Sequence, residues 1–438
     1  MRFLYIGTML IALLFSKISS AEDLMQVYAM AFKSDPQLLA EAASRRAVSE
    51  LDDQATANFL PQVGLTANTD RVNQDTSTQT ASNDFDYNTH GYSISITQPV
   101  FRKENFVQLS QAEIAIESAQ ASYLVKEQEL IVRVAFSYFG LLARIDDLSF
   151  TVAEREAIAL QLEQTNLRFD VGMVTITDVV ESKAAYDISN AAVIDAKNEV
   201  ANGKERLRET TGLYIDELAA LKEESPLVSP EPQDINQWSE LALQQNPSLF
   251  VARSNIENAK QEIALQKSGH YPSLDLVGEK RYRSQNDDIL DGYSNTHQDS
   301  ISLQFNVPLY QGGSVNSRTR EAGYRLDQAM QNEEEQLRAV KRQTREAYNS
   351  VMSGISRVKA LKQAVISSEK ALESTEAGYE VGNRTTVDVL NVRRSLFSAR
   401  RDYAAARYEY IVDTLNLKQA AGTVSIDDLN RINQWLGG

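Results

Sequence analysis

The chain has 438 residues and a net charge of −16 at pH 7, because its 60 acidic residues outnumber its 44 basic ones. This acidic balance argues against nucleic acid and anionic membrane surfaces as partners. The chain contains no cysteine, which excludes a disulfide framework, a thiolate metal site and a lipid attached to an N-terminal cysteine.

The N-terminus has the pattern of an export signal. A basic residue precedes an apolar run from Phe3 to Phe15, and small residues follow up to Ala21. We therefore expect residues 1–21 to be a signal peptide that is cleaved after Ala21. The rest of the chain has no uninterrupted apolar run of ~20 residues, the length of a membrane-spanning helix. Its richest stretch, residues 130–143, is broken by Arg133.

Residues 22–212 form the first of two similar units, which begins with short helices and a predicted β-hairpin at about 62–100. Polar and apolar residues alternate in this region, as in Ser93-Ile94-Ser95-Ile96, and this period of two is typical of a strand. The partner strand is predicted at Gln62 to Val72, and the polar residues 73–88 are predicted to connect the two. Strands of roughly ten residues have the length that crosses a bilayer when tilted.

A long helix hairpin is predicted to follow at about 102–212. None of the nine prolines lies within it, and an interior proline breaks a helix. The first helix is predicted from about Arg102 to Phe169, which is on the order of 100 Å. Gly172 is predicted to end it in the left-handed conformation. Thr175 is predicted to cap the second helix, with Asp178 in its first turn.

A linker at residues 213–240 leads to the second unit, residues 241–422, which repeats the first motif by motif at offsets of 209 to 211 residues. For example, Val171-Gly172 returns as Val381-Gly382. This unit is therefore expected to contain a β-hairpin at about 273–310 and a helix hairpin at about 313–421. The repeat is too long for a solenoid, so it indicates two pseudo-symmetric copies of one layout.

Four predicted strands per chain cannot close a barrel, and open sheet edges are not tolerated in lipid. Three copies of the chain supply twelve strands, which is an allowed barrel size. The predicted fold is an internally duplicated α+β membrane protein, in which four strands per chain accompany long antiparallel coiled-coil helix hairpins. In the trimer, a 12-stranded β-barrel is continuous with a cylinder of helices.

The order of these features resembles the TolC family of outer-membrane efflux and secretion proteins. The shared order is a signal peptide, an Asp-Pro or Asn-Pro turn, a strand hairpin, a long helix and a Val-Gly turn, followed by the repeat. The resemblance covers the chain from Glu22 to about Leu436. Its more specific segments are Ile176-Thr177-Asp178-Val179, Leu309-Tyr310-Gln311-Gly312-Gly313 and residues 381–390.

The resemblance implies a passive homotrimeric exit duct in the outer membrane of a Gram-negative cell, with a periplasmic α-helical tunnel. Such ducts serve tripartite efflux pumps and type I secretion systems. The implied partners are outer-membrane lipid, a periplasmic adaptor protein and an inner-membrane pump. Drugs, metal ions and secreted proteins remain open as cargo. Residues 213–240 and 423–438 would form the equatorial belt of the tunnel, and a solvated linker is the alternative for the first of them.

The resemblance also assigns a gate at the periplasmic end of the tunnel. The positions that match the family's lock between neighbouring hairpins are Thr177 and Asp178 on the first turn, and Tyr379 and Arg384 on the second. A guanidinium and a tyrosine hydroxyl are suitable donors to a carboxylate. The plainer alternative makes Asp178 a helix-capping acid and Arg384 a solvated loop residue.

The second turn is also expected to form the pore constriction. The resemblance implies two aspartates three residues apart there, whereas this chain has Asp388 followed by Asn391. Residues at this spacing share a helix face. Threefold symmetry then gives one ring of carboxylates instead of two, and such rings attract cations.

No pattern in the sequence supports an enzyme, a cofactor or a metal site. The three histidines, His90, His270 and His297, lie in or beside predicted strands without the helical spacing of a metal site. No nucleophile elbow or kinase signature occurs. The remaining alternative to a channel is a structural trimeric coiled-coil protein of the envelope. This alternative does not explain the paired strands.

Overall fold

The computed structural model of the chain describes residues 21–77, 82–287 and 292–437, so the predicted signal peptide lies outside the described residues except for Ala21. The strands are β1 (Gln62–Ser77), β2 (Ser82–Arg102), β3 (Ser273–Asp287) and β4 (Gly292–Asn306). The helices are α1 (Leu24–Ser34), α2 (Pro36–Ala57), α3 (Lys103–Asp170), α4 (Ile176–Thr211), α5 (Ile235–Gln245), α6 (Pro247–Ser268), α7 (Ser314–Glu380), α8 (Thr386–Ala420) and α9 (Ile426–Asn433).

The two long helices have almost the predicted bounds. Helix α3 has 68 residues and α7 has 67; α3 ends one residue later than predicted, and both end immediately before a Val-Gly pair. Proline-free sequence allows each helix to continue, and a glycine with positive φ ends it. No helix in the described ranges has both the length and the apolar character needed to cross a membrane.

The strands are longer than predicted. They contain 15 to 21 residues rather than roughly ten, because most of the residues predicted as polar connectors pair across each hairpin. Asn73 lies opposite Asp86, and Arg71 forms an ion pair of 2.7 Å with Asp86. Backbone pairing and cross-strand contacts of this kind extend a hairpin beyond its alternating segment.

The strands form one antiparallel sheet with the order β1-β2-β3-β4. The register joins the hairpins of the two repeats, since Ile96 of β2 lies opposite Gly278 of β3. On β4, Ile301, Leu303 and Phe305 alternate along the strand, and Ile301 is 85% exposed. The sheet therefore presents a row of exposed apolar side chains, as the period of two predicts.

The described chain divides into two compact units. One comprises the N-terminal residues up to Leu39 together with Lys126–Asn246 and Val340–Gly438, and the other comprises Ala40–Val125 and Pro247–Ala339. Each unit takes residues from both sequence repeats. The first contains the turns at Gly172 and Gly382, and the second contains the sheet.

In the first unit, the linker after α4 packs against both ends of the described chain. Leu218 forms a parallel bridge with Glu22, and Leu221 forms an antiparallel bridge with Leu436. The buried hydroxyl of Tyr138 donates to the carbonyl oxygens of Glu22 (3.1 Å) and Ala219 (2.8 Å). These contacts favour a packed segment over a solvated linker, and its position as an equatorial belt stays a prediction.

Gly422 and Gly212 occupy equivalent positions at the ends of α8 and α4, and they allow a matched stability test. Both have positive φ, 76° and 72°. A Cβ on Gly422 would lie 2.5 Å from the Cα of Asn246, whereas one on Gly212 would lie 3.6 Å from the Cβ of Ser34. We expect Gly212→Ala to cost about 1–2 kcal/mol through backbone strain. Gly422→Ala should cost about 1–3 kcal/mol more through overpacking.

Thermal unfolding of the two variants, followed by helix content in mild detergent, checks this difference. The Gly422→Ala variant should melt at the lower temperature. Equal melting temperatures would contradict the close approach of the Gly422 backbone to Asn246.

Candidate functional site

The two turns between the long helices have nearly the same backbone. Gly172 and Gly382 have φ values of 77° and 80°, which confirms the left-handed conformation predicted for both. The N–H of Met173 donates to the carbonyl of Arg168 at 2.8 Å, and the N–H of Asn383 donates to that of Gly378 at 2.8 Å. These bonds satisfy carbonyls that the end of a helix leaves without a partner.

Each turn leads into a capping box. The Asp178 Oδ2 accepts from the backbone N–H (2.8 Å) and the hydroxyl (2.6 Å) of Thr175. In the second turn, the Asp388 Oδ2 accepts from the N–H and the hydroxyl of Thr385, both at 2.9 Å. Thr175 is therefore an N-cap, as predicted, and Thr385 is its equivalent in the second repeat. Both aspartates contribute to fixing the turns.

The capping bonds keep both carboxyl groups ionised. Bonds from the Thr175 hydroxyl and backbone lower the pKa of Asp178, and bonds from the Thr385 backbone and hydroxyl lower the pKa of Asp388. Arg384 adds a smaller electrostatic contribution that also lowers the pKa of Asp388. The negative charge predicted at Asp388 is therefore present at neutral pH.

The predicted lock residues lie on the two turns, with no hydrogen bond between them in the described part of the chain. Thr177 and Arg384 are exposed, and Tyr379 is half-buried. The hydroxyl of Thr386 donates to that of Tyr379 at 3.3 Å. Bonds from Tyr379 or Arg384 to the first turn thus stay a prediction.

Arg168 contacts Tyr379 instead, which the sequence reasoning missed. Its guanidinium carbon lies 4.6 Å from the centroid of the tyrosine ring, a distance typical of a cation–π interaction. Arg168 belongs to α3 and Tyr379 to α7, so this contact joins the two helix hairpins of one chain near their turns.

Gly378 makes room for the side chain of Arg384. A Cβ at Gly378 would lie 2.9 Å from the Cγ of Arg384, so only glycine leaves the arginine stem in its observed position. The equivalent position in the first repeat is Arg168. The two repeats have therefore diverged at this position. The second repeat has a glycine that contacts the Arg384 side chain, and the first has an arginine that contacts the Tyr379 ring.

The pair predicted to line the pore lies in the first turns of α8. Asp388 is half-exposed and Asn391 is exposed, whereas the intervening Val389 and Leu390 are buried. Asp388 and Asn391 therefore share the more exposed side of the helix, as their spacing predicts. Their position at a pore constriction is a prediction that depends on the other protomers.

Helix α8 also carries arginines that reach α3, and the sequence reasoning missed them. Arg393 contacts Ala157 and Glu376, and Arg401 contacts Glu154. A signal was present, because Arg393 and Arg401 are eight residues apart, a spacing that returns to the same face of a helix.

The histidines lie where the sequence predicts. His90 is on β2, His297 is on β4, and His270 lies three residues before the start of β3. Within residues 21–77, 82–287 and 292–437, no group of three or more histidines, aspartates and glutamates is arranged to hold a metal ion.

Comparison with known families accounts for both repeats. The model of the family described as outer membrane efflux protein matches residues 27–213 and again residues 238–423. The chain belongs to this family. It is accordingly an outer-membrane protein, and its function is that of an exit duct for efflux.

Individual members of the outer membrane efflux protein family match over almost the whole chain. The outer membrane protein TolC of Escherichia coli strain K12 is 38% identical over 436 residues, covering 96% of this chain and 86% of that protein. The alkaline protease secretion protein AprF of Pseudomonas aeruginosa is 26% identical and covers 96% of this chain and 88% of its own length.

A solved structure shows the same fold. The outer membrane protein VceC from Vibrio cholerae superposes with a TM-score of 0.77 at 19% identity, covering 91% of this chain and 96% of that one. The predicted class is confirmed by such neighbours, since long helix hairpins accompany a four-stranded antiparallel sheet.

Proposed function

We propose that the protein is a passive homotrimeric duct through the outer membrane, gated at its periplasmic end, without enzymatic activity. The observation that carries this proposal is the sheet, which combines exposed alternating apolar residues with two edge strands, β1 and β4. Exposed apolar rows fit a lipid-facing surface. Unpaired edges in lipid require other strands.

Assembly follows from the strand count. Because each chain contributes four described strands, three chains give the twelve of a closed barrel. We expect the purified protein to migrate as a trimer in mild detergent, by light scattering or native electrophoresis. A stable monomer with full β-signal in that detergent would contradict the barrel.

The gate is proposed at the Gly172 and Gly382 turns. Thr177 and Asp178 would face Tyr379 and Arg384 across neighbouring hairpins, while Asp388 and Asn391 line the constriction. The exposure of Thr177 and Arg384 supports this arrangement, because a lock between protomers requires groups that their own chain leaves accessible. The capping boxes support it too, since they give each turn a defined shape.

We further propose that a periplasmic adaptor and an inner-membrane pump or type I secretion exporter complete the system. The similarity to AprF, a protein described by its role in alkaline protease secretion, supports the secretion branch. Identifying the exporter that co-purifies after cross-linking in intact cells tests this assignment and distinguishes drugs, metal ions and proteins as cargo.

Membrane fractionation separates the duct from a structural coiled-coil protein of the envelope. A duct stays in the outer-membrane pellet after a high-salt wash, and the purified protein conducts ions across a planar bilayer. Release by salt, together with the absence of conductance, would support the structural alternative.

A further inference from the structure

Three arginines of α8 form ion pairs in the described part of the chain, and Arg393 is the most buried of them. Its side chain is 13% exposed, compared with 27% for Arg401 and 37% for Arg400. Taking a guanidinium out of water is unfavourable unless its donors are satisfied. The buried guanidinium of Arg393 must therefore be stabilised by its hydrogen-bond partners.

Arg393 connects three helices at once. Its Nη1 donates to the carbonyl oxygen of Ala157 on α3 at 2.7 Å, and its Nη2 donates to Oε1 of Glu376 on α7 at 2.6 Å. A guanidinium carries several N–H donors in one rigid plane, so it can bond two acceptors in different directions. The ammonium group of a lysine is a compact point charge and lacks this fork. Arg393 thus ties the hairpin formed by α7 and α8 to α3 of the same chain.

Arg401 repeats this link further from the turn. It donates to Oε2 of Glu154 at 2.8 Å, and it lies 3.6 Å from Asp147, so both partners are on α3. Arg400 differs, because it pairs with Glu369 of α7 at 2.8 Å and so connects only the two helices of its own hairpin. Helix α8 therefore carries two arginines that bind α3, Arg393 and Arg401, and a control arginine, Arg400, that binds only α7.

The apolar contact beside Arg393 is small. It consists of Ile158 of α3, Ala185 of α4 and Leu390 of α8, with Tyr186 packed against them. A cluster of this size provides little apolar burial to hold the hairpins together. The bond from Arg393 to Ala157 adds a polar contact between α8 and α3 beside this cluster, and Arg393 is only five residues from Asp388.

We propose that Arg393 is a positioning residue of the gate, which holds the α7–α8 hairpin against α3 in the closed state. This inference rests on the proposed gated duct. Any opening that moves the α7–α8 turn away from α3 must break the bond from Arg393 to Ala157. Arg401 secures the same hairpin further along, so it limits how much of α8 moves.

Single-channel recording in planar bilayers tests this role with purified trimers of four proteins: wild type, Arg393→Met, Arg393→Lys and Arg400→Met. Arg393→Met loses two charge-assisted bonds, so its open-state occupancy should rise by about tenfold. Arg393→Lys keeps the charge and one bond, and should show a smaller rise of about threefold. Arg400→Met, which removes the same charge from the same helix, should behave like the wild type.

Each result has a defined meaning. An open-state occupancy of Arg393→Met equal to that of wild type overturns the inference and leaves the duct intact. An equal rise in Arg400→Met also overturns it, because loss of helix charge would then be the cause. A wild-type protein that forms no pore overturns the duct itself. If Arg393→Met does not assemble, Arg393→Lys tests the inference by itself. A lysine variant with the open-state occupancy of the wild type would then overturn it, because a lysine cannot keep the bonds to Ala157 and Glu376 together.

Discussion

Replacing Arg384 by serine is expected to loosen the proposed periplasmic gate and raise the open-state occupancy of the channel. The guanidinium of Arg384 forms no hydrogen bond or ion pair with any residue that the structure describes, so its donors are available to a neighbouring protomer. Loss of one such bond in each protomer should raise open-state occupancy by about three- to tenfold. Planar-bilayer recording measures the change.

Adding Tyr379→Phe to Arg384→Ser should increase the effect. The phenylalanine retains the ring under Arg168 but removes the oxygen that accepts from Thr386. We expect little loss of trimer, because the long helix contacts supply most of the stability. Native electrophoresis of the same samples measures trimer content.

Two further variants make the Arg384 experiment specific. Gly378→Ala should reproduce part of the Arg384→Ser effect, because the new methyl group displaces the arginine stem. Arg342→Ser should change nothing, since Arg342 pairs with Glu346 one turn along its own helix at 2.7 Å. Unchanged open-state occupancy in Arg384→Ser would mean that Arg384 is an ordinary loop residue.

Removing the charge of Asp388 is expected to abolish most of the cation preference of the channel and most of its block by multivalent cations. The carboxylate is ionised at neutral pH because the capping bonds lower its pKa, and no described hydrogen bond engages its Oδ1. In the proposed trimer, one free oxygen per protomer faces the pore. Rings of carboxylates concentrate cations in this way.

Two substitutions at Asp388 distinguish the effect of its charge from the effect of its capping bonds. Asp388→Ala also removes the N3 side chain of the capping box, whereas Asp388→Asn removes the charge and keeps an oxygen that can accept the same bonds. Asn391→Asp should act in the opposite direction, because it adds a second ring and strengthens the block. Reversal potentials and block by a trivalent cation complex measure both.

If Asp388→Asn and Asp388→Ala both leave selectivity and block unchanged, the selective charge lies elsewhere in this acidic chain. An Asn391→Asp variant with the same block as wild type would place residue 391 outside the constriction.

The sequence alone predicted the elements that depend on local signals. The length of α3 and α7 follows from proline-free sequence, and each helix ends beside a glycine that adopts positive φ. The capping boxes at Thr175 and Thr385 are equally local. The family followed as well, because the order of the motifs and their repetition are properties of the sequence.

Strand length was decided by pairing. Asn73 and Asp86 look like connector residues in isolation, yet they lie opposite each other in the β1–β2 ladder. A polar residue gains strand conformation when a partner strand satisfies its backbone, and the local pattern contains no information about that partner.

Buried charges were also decided by tertiary structure. Arg133 interrupts an apolar run, and the fold pairs it with the buried Asp35 at 2.7 Å. The equivalent residues of the second repeat, Thr344 and Asn246, instead donate to the carbonyl of Ala420 at 3.3 and 2.9 Å. Arg393 likewise gains its role only where α3, α7 and α8 meet. A buried polar group requires partners, and partners distant in sequence are known only once the chain has folded.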